Sequence, residues 1–160
     1  MTPTLRVGHG FDVHPFSDDT ERALVLGGVR FEGERGLVGH SDSDVIAHAV
    51  ADALLGAADM GDIGQLFPDT DASYVGADSI ALLADVAVRV TAAGWSVSNV
   101  DVTVVLEAPK LAPRRDEMQA RLSEAVGASV SVKGKRAEGL GALGRSEGIA
   151  CFAVALLERT

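Results

Sequence analysis

Cysteine, tryptophan and tyrosine each occur once in 160 residues, and aromatic residues make up only 4% of the chain. A lone thiol excludes an intramolecular disulfide, so packing must hold the fold together. Cys151 lies inside the apolar run Ile149 to Leu157 and reads as a buried, inert side chain. With few aromatic rings but 47% hydrophobic content, the core must come from Val, Ala and Leu. No apolar run approaches the ~20 residues that cross a bilayer, and no secretory pattern opens the chain. Residence in the cytoplasm, with no membrane partner, is the expectation. Cations are also scarce, because 14 Lys and Arg face 23 Asp and Glu for a formal net charge of −9. That balance excludes the broad basic surface a nucleic-acid partner requires.

Glycine is the residue in excess: there are 18, where average usage gives about 11. Loops rich in glycine let backbone approach a ligand closely. Between them the hydrophobic pattern predicts a strand over Leu5–His14 and a hairpin over Ala23–Phe31 that turns at Gly27-Gly28. A helix should follow the capping pattern Ser41 to Asp44 and run to about Asp59. A second helix is predicted from Asp78 to Ala93, ending at Gly94, and a third after Pro113, ending near Gly127. Strands are expected at Val100–Leu106, Ser129–Lys133 and Ile149–Leu157. No repeat or linker divides residues 1–160, so the expectation is one α/β (α+β) sandwich, a mainly four-stranded sheet with helices on one face. The last strand is apolar on both parities, which suits a second buried face, either against another copy of the chain or against its own loops.

Chemistry concentrates on the histidines. Asp12 and His14 are two apart, so on a strand they project from the same side. His48, from the first helix, can complete a three-ligand metal site with a fourth position open. Asp-x-His is also a common capping arrangement, and a His in an Ala-rich helix is often simply packed. Asp44 and Asp52 lie four residues before and after His48, where either carboxylate can orient its ring.

Lys133, Lys135, Arg136 and Arg145 surround a loop containing Gly134, Gly139, Gly141, Gly144 and Gly148. Cations beside free backbone N–H groups make a phosphate cradle, although a solvated loop of mixed charge reads the same way. Glu138 within it suits a hard divalent cation. His40-Ser41 stands just ahead of the first helix, where Ser41 can act as N-cap and neighbouring N–H groups can meet an anion. Asp62, Asp69 and Asp71 are candidate partners for polyol hydroxyls, or ordinary solvated loop residues.

Taken together, these motifs resemble the 2-C-methyl-D-erythritol 2,4-cyclodiphosphate synthase family over essentially the whole chain. The likeness rests on Gly8-His9-Gly10-Phe11-Asp12-Val13-His14, His40-Ser41-Asp42 with His48, and Gly61-Asp62-Ile63-Gly64 with Phe67-Pro68-Asp69-Thr70-Asp71. It also rests on Ala108-Pro109-Lys110 and on Gly144-Arg145 followed by Glu147-Gly148. The resemblance implies a homotrimer with active sites at subunit interfaces, one Zn2+ per subunit on Asp12, His14 and His48, and Mg2+ or Mn2+ between the phosphates near Glu138. The implied substrate is 4-diphosphocytidyl-2-C-methyl-D-erythritol 2-phosphate, cyclised with release of CMP in the non-mevalonate isoprenoid pathway.

By the same resemblance, Asp62, Ile63 and Gly64 with Phe67, Pro68, Asp69, Thr70 and Asp71 hold the methylerythritol end, beside Asp12, Val13, His14 and Ser41. Leu106, Glu107, Ala108, Pro109, Lys110, Leu111 and Ala112 surround the cytosine, and Lys135, Ala137, Glu138, Ala142 and Arg145 complete the nucleotide side. His40 and Arg136 are the implied catalytic groups. Arg136 stands where the family carries a phosphate-contacting Thr, and Ala142 replaces a bulkier apolar residue, so those two roles depart from the pattern. Two other classes fit parts of the sequence: a ligand-binding module that keeps the metal without turnover, and a zinc hydrolase with Asp69 as base.

Overall fold

The computed structural model describes residues 4–159. Its main sheet has the order β1 (Thr4–Pro15), β6 (Gly148–Arg159), β4 (Ser96–Val105), β5 (Ser129–Lys135). β1 and β4 both run antiparallel to β6, and β5 runs parallel to β4. A separate hairpin pairs β2 (Leu24–Leu26) with β3 (Val29–Phe31) across Gly27 and Gly28, both at positive φ as a two-residue turn of this hand requires. The helices are α1 (Val45–Ala58), α2 (Ile63–Leu66), α3 (Ser79–Ala92), α4 (Arg115–Val126) and the single turn α5 (Gly141–Gly144).

Alternation along the strands sorts the two faces. Val100, Val102 and Val104 of β4, Val130 and Val132 of β5, and Ile149, Cys151, Ala153, Ala155 and Leu157 of β6 are buried beneath the helices. α1 lies on β1 and β6, α4 flanks β5, and α3 packs on α1 and α4. The outer face of β1 and β6 carries Val7, Phe11, Val13, Phe152 and Val154, between 42% and 70% exposed. No described helix is long and apolar enough to cross a membrane.

The α1–β1 contact positions the candidate site. A Cβ on Gly8 would overlap the Ala53 carbonyl oxygen, and one on Gly10 the Ala49 carbonyl oxygen, so glycine lets the helix lie directly on strand backbone. Moving from Gly8 to Gly10 along the strand runs backward along the helix, and the next inward strand positions, Asp12 and His14, therefore meet the turn that carries His48. Of the fourteen residues in α1, only His48, Asp52, Gly56 and Ala58 escape burial, and the first three form one stripe at four-residue spacing.

Two expectations differ from what is observed. β4 starts at Ser96, four residues ahead of the alternating run at Val100, because the register shifts between Val97 and Asn99 and breaks the pattern there. The N-cap of α1 is Asp44 and not Ser41: its fully buried carboxylate accepts from the N–H of Ile46 and Ala47 at 3.1 Å each. The same carboxylate accepts from Gly27 at 2.9 Å and Gly28 at 2.7 Å, tying the hairpin turn to the helix. With a protein carboxylate already seated there, this helix end is not an open anion site.

Candidate active site

Three ligand atoms converge beside the α1–β1 contact. His14 Nε2 is 2.9 Å from Asp12 Oδ2, His48 Nδ1 is 3.1 Å from the same oxygen, and the two nitrogens are 3.4 Å apart. Tetrahedral zinc with ligands at about 2.0–2.1 Å would hold them about 3.3 Å apart. Among the described residues this is the one cluster of three such groups that could share an ion.

The rest of each imidazole fits the same reading. His14 Nδ1 donates to the Val38 carbonyl at 2.7 Å, which leaves Nε2 as the ring nitrogen that faces the shared point. His48 Nε2 meets Ser79 Oγ at 2.9 Å and Ser41 Oγ at 3.1 Å, and Ser79 Oγ in turn donates to Asp42. That relay accepts from His48 Nε2 and leaves Nδ1 facing Asp12. Neither helical neighbour of His48 orients it. Asp44 caps the helix, and Asp52 accepts from the Ile63 N–H at 2.7 Å, fixing the start of α2. Sequence spacing singles out those two acids, while the groups that do orient the ring, Ser41 and Ser79, come from a loop and a different helix.

Charge follows the geometry. Burial raises the Asp12 carboxyl, but hydrogen bonds and attraction from His14 and His48 outweigh it and hold the group at about 2. Burial works against a charged His48, yet the hydrogen bond and charge of Asp12, helped by Asp44 and Asp42, keep its pKa above the ordinary value. Burial, then the neighbouring Asp42, push Asp44 up to about 6 against the backbone N–H groups of Gly28, Gly27 and Ala47.

Asp12, His14 and His48 sit in a cavity of about 470 Å³ together with His40, Ser41, Ile63, Gly64, Phe67 and Asp69. Gly39, Tyr74 and Leu82 also line it and were not expected from sequence. Tyr74 packs edge-on against Phe67 at 5.3 Å between ring centroids; its being the chain's one tyrosine, just after the acid-rich loop, was the available signal. His40 reaches the Asp71 carbonyl through Nε2 at 3.0 Å. Asp62 instead caps α2 through the Gln65 N–H at 2.9 Å, and Pro68, Thr70 and Asp71 stand exposed beside the cavity without lining it. The Val13 side chain points to the outer sheet face.

A second cavity of about 260 Å³ is lined by Leu106, Glu107, Pro109, Lys110, Leu111, Ala112, Lys135 and Arg136, joined by Gly134 and Arg115. Arg136 donates through Nε and Nη2 to Glu107 at 3.2 and 3.0 Å, and this guanidinium holds the Glu107 carboxyl below the usual carboxylate range. Glu107 Oε1 and Arg115 Nε, both on this cavity, are the buried side-chain polar atoms among the described residues that have no partner. Unpaired buried polar atoms of opposite character suit a pocket that receives a polar ligand. Ala108, Ala137, Glu138, Ala142 and Arg145 line neither cavity, and Arg145 pairs with Glu147 at 2.8 Å. Glu138 stands at a positive φ of 55° on the exposed loop beyond β5.

A mixed α/β fold that aims one carboxylate and two imidazoles into a cavity fits the class of metal-dependent enzymes. The YgbB family model matches residues 5–158, and the chain belongs to that family. Over 99% of both chains it is 54% identical to the 2-C-methyl-D-erythritol 2,4-cyclodiphosphate synthase of Bordetella avium. It is also 54% identical to the bifunctional enzyme IspD/IspF of an Anaeromyxobacter species, matching with 97% of its own length but spanning only 40% of that longer protein. Among solved structures, the Plasmodium falciparum IspF complex with CDP superposes with a TM-score of 0.84 at 33% identity, covering 98% of this chain and 97% of that one.

Proposed function

We propose that this chain converts 4-diphosphocytidyl-2-C-methyl-D-erythritol 2-phosphate to 2-C-methyl-D-erythritol 2,4-cyclodiphosphate and CMP, a lyase-type cyclisation in isoprenoid biosynthesis. Family membership supports the reaction, since relatives matched end to end are named for it. The observation that carries the chemistry is the triangle of Asp12 Oδ2, His14 Nε2 and His48 Nδ1, sized for one small cation. These residues would hold Zn2+, and Glu138 would meet Mg2+ or Mn2+ bound between the substrate phosphates. When bound, the cations neutralise phosphate charge and polarise the reacting phosphorus centre.

The protein's own share is positioning. An oxygen of the 2-phosphate attacks the β-phosphorus, the bond from that phosphorus to the CMP oxygen breaks, and CMP carries the electron pair away. Holding nucleophile and electrophile in line contributes up to ~7–11 kcal/mol of barrier reduction. Ile63, Gly64 and Phe67 in the first cavity would take the methylerythritol end, with His40 orienting the transferring group. The second cavity, lined by Leu106, Glu107, Pro109, Lys110 and Leu111, would take cytosine. Arg136 would meet a phosphate by exchanging Glu107 for it, a bidentate contact replacing the hydroxyl expected there.

On one chain the metal cavity and the basic cavity are separate. A homotrimer that buries the apolar strip on β1 and β6 and joins the two cavities across subunits is the assembly we infer, acting in the cytoplasm. The test is CMP release by purified protein supplied with Zn2+ and Mg2+. Release should stop on chelation and in Asp12→Ala and His48→Ala; undiminished turnover by His48→Ala would refute the assignment.

A further inference from the structure

We propose that Arg22 is a positioning residue for the metal centre, fixing the ring orientation of His14 and the seat of Ser41 behind His48 by clamping the backbone of residues 37–43. The proposal rests on the metal reading above. Arg22 does not line the metal cavity; it reaches the 37–43 segment from the connection between β1 and β2.

The segment bends through residues 39–42, and its carbonyls point alternately to two sides. Those of Leu37, Gly39 and Ser41 all turn to the Arg22 guanidinium: Nε donates to Leu37, and Nη2 donates to Gly39 at 3.0 Å and Ser41 at 2.7 Å. Those between them turn the other way. The Val38 carbonyl accepts from His14 Nδ1 at 2.7 Å, and the His40 carbonyl accepts from the Gly76 N–H at 2.8 Å. Arg22 Nη2 also donates to Ser43 Oγ at 2.7 Å, where the chain turns at a positive φ of 59° into the Asp44 cap.

Anchoring every second carbonyl on one cation therefore aims the intervening ones, and the carbonyl of Val38 is the group that holds the His14 ring through Nδ1. There is little slack in this path. A Cβ on Gly39 would overlap Ser43 Oγ and lie 3.2 Å from His14 Cε1, so the segment passes directly against the ring. Without the clamp, the Val38 carbonyl drifts from His14, and the ring is free to turn its Nε2 away from the point it shares with Asp12 and His48. Arginine suits this task because its planar fork serves several carbonyls at once, whereas a lysine ammonium acts as a point donor.

The test compares wild type with Arg22→Lys, Arg22→Gln and Arg22→Ala, using Asp12→Ala as the metal-site control. Zinc dissociation constants are measured by competition with a chromogenic chelator, and the 15N shifts and relaxation of the histidine rings are recorded on metal-free protein. Arg22→Ala should bind zinc about 10–100-fold more weakly, Arg22→Lys should fall between it and wild type, and the His14 ring should gain motion relative to wild type. If the alanine variant does not fold, the lysine and glutamine variants carry the same comparison. Folded variants with wild-type zinc affinity and unchanged His14 ring motion would overturn the clamp. Wild type binding zinc no better than Asp12→Ala would instead overturn the metal reading, and the ring relaxation would still decide the clamp.

Discussion

His14 and His48 each commit one ring nitrogen to the protein and keep the other for the point they share with Asp12. Ser79→Ala removes the 2.9 Å contact behind His48 and leaves only Ser41 to hold the ring. Zinc affinity should fall about 10-fold, as measured by chelator competition, with little change in the urea midpoint. The charges also make stability depend on pH. Asp12 is held at about 2, below its ordinary 3.8, so its stabilisation is present above pH 3.8 and lost as pH falls through 2. In metal-free protein, the urea stability of wild type should exceed that of Asp12→Asn by about 2 kcal/mol above that window, and the difference should vanish below it. His48 works in the opposite sense, because its raised pKa gives a contribution that is full below 6.5 and lost as pH rises through the raised value. The convergence of Asp12 and His14 was legible in the sequence because strand alternation puts them on one side, and His48 was read as the group that joins them. Ser79 was not, since it lies 31 residues from His48 and no local period links them.

At the scale of elements, the site depends on how closely α1 lies on β1. Gly10→Ala places a methyl group where the Ala49 carbonyl oxygen stands, and backbone cannot move aside as a flexible side chain would. Loss of about 3 kcal/mol or more is expected, read from urea unfolding, together with weakened zinc binding as His48 is displaced. Asp44→Ala leaves four N–H donors without their acceptor, on α1 and on the hairpin turn. It should cost about 3 kcal/mol in the same measurement. The order of the main elements was readable from apolar periodicity and glycine punctuation. The cap was not, because Ser41 and Asp44 both match a capping pattern and only the approach of Gly27 and Gly28 selects the acid. β4 was read short for a related reason, since its irregular register at Val97 to Asn99 erases the alternation that announces a strand.

For the whole molecule, the exposed strip of Val7, Phe11, Val13, Phe152 and Val154 is the largest departure from an ordinary solvated surface. Phe11 and Phe152 pack 5.0 Å apart at its centre. On the inferred trimer, Phe11→Asp should yield monomers by light scattering and abolish CMP release while zinc still binds. A trimeric, active Phe11→Asp would place the subunit contact elsewhere. The alternation of β6 on both parities made this second face legible, but the partner that covers it is not written in one chain's periodicity.

The most direct measurement is anomalous scattering at the zinc edge from crystals of the protein grown with Zn2+. The account predicts one peak per chain, about 2.0–2.2 Å from Asp12 Oδ2, His14 Nε2 and His48 Nδ1. A peak bound elsewhere, or none at that point, would contradict it.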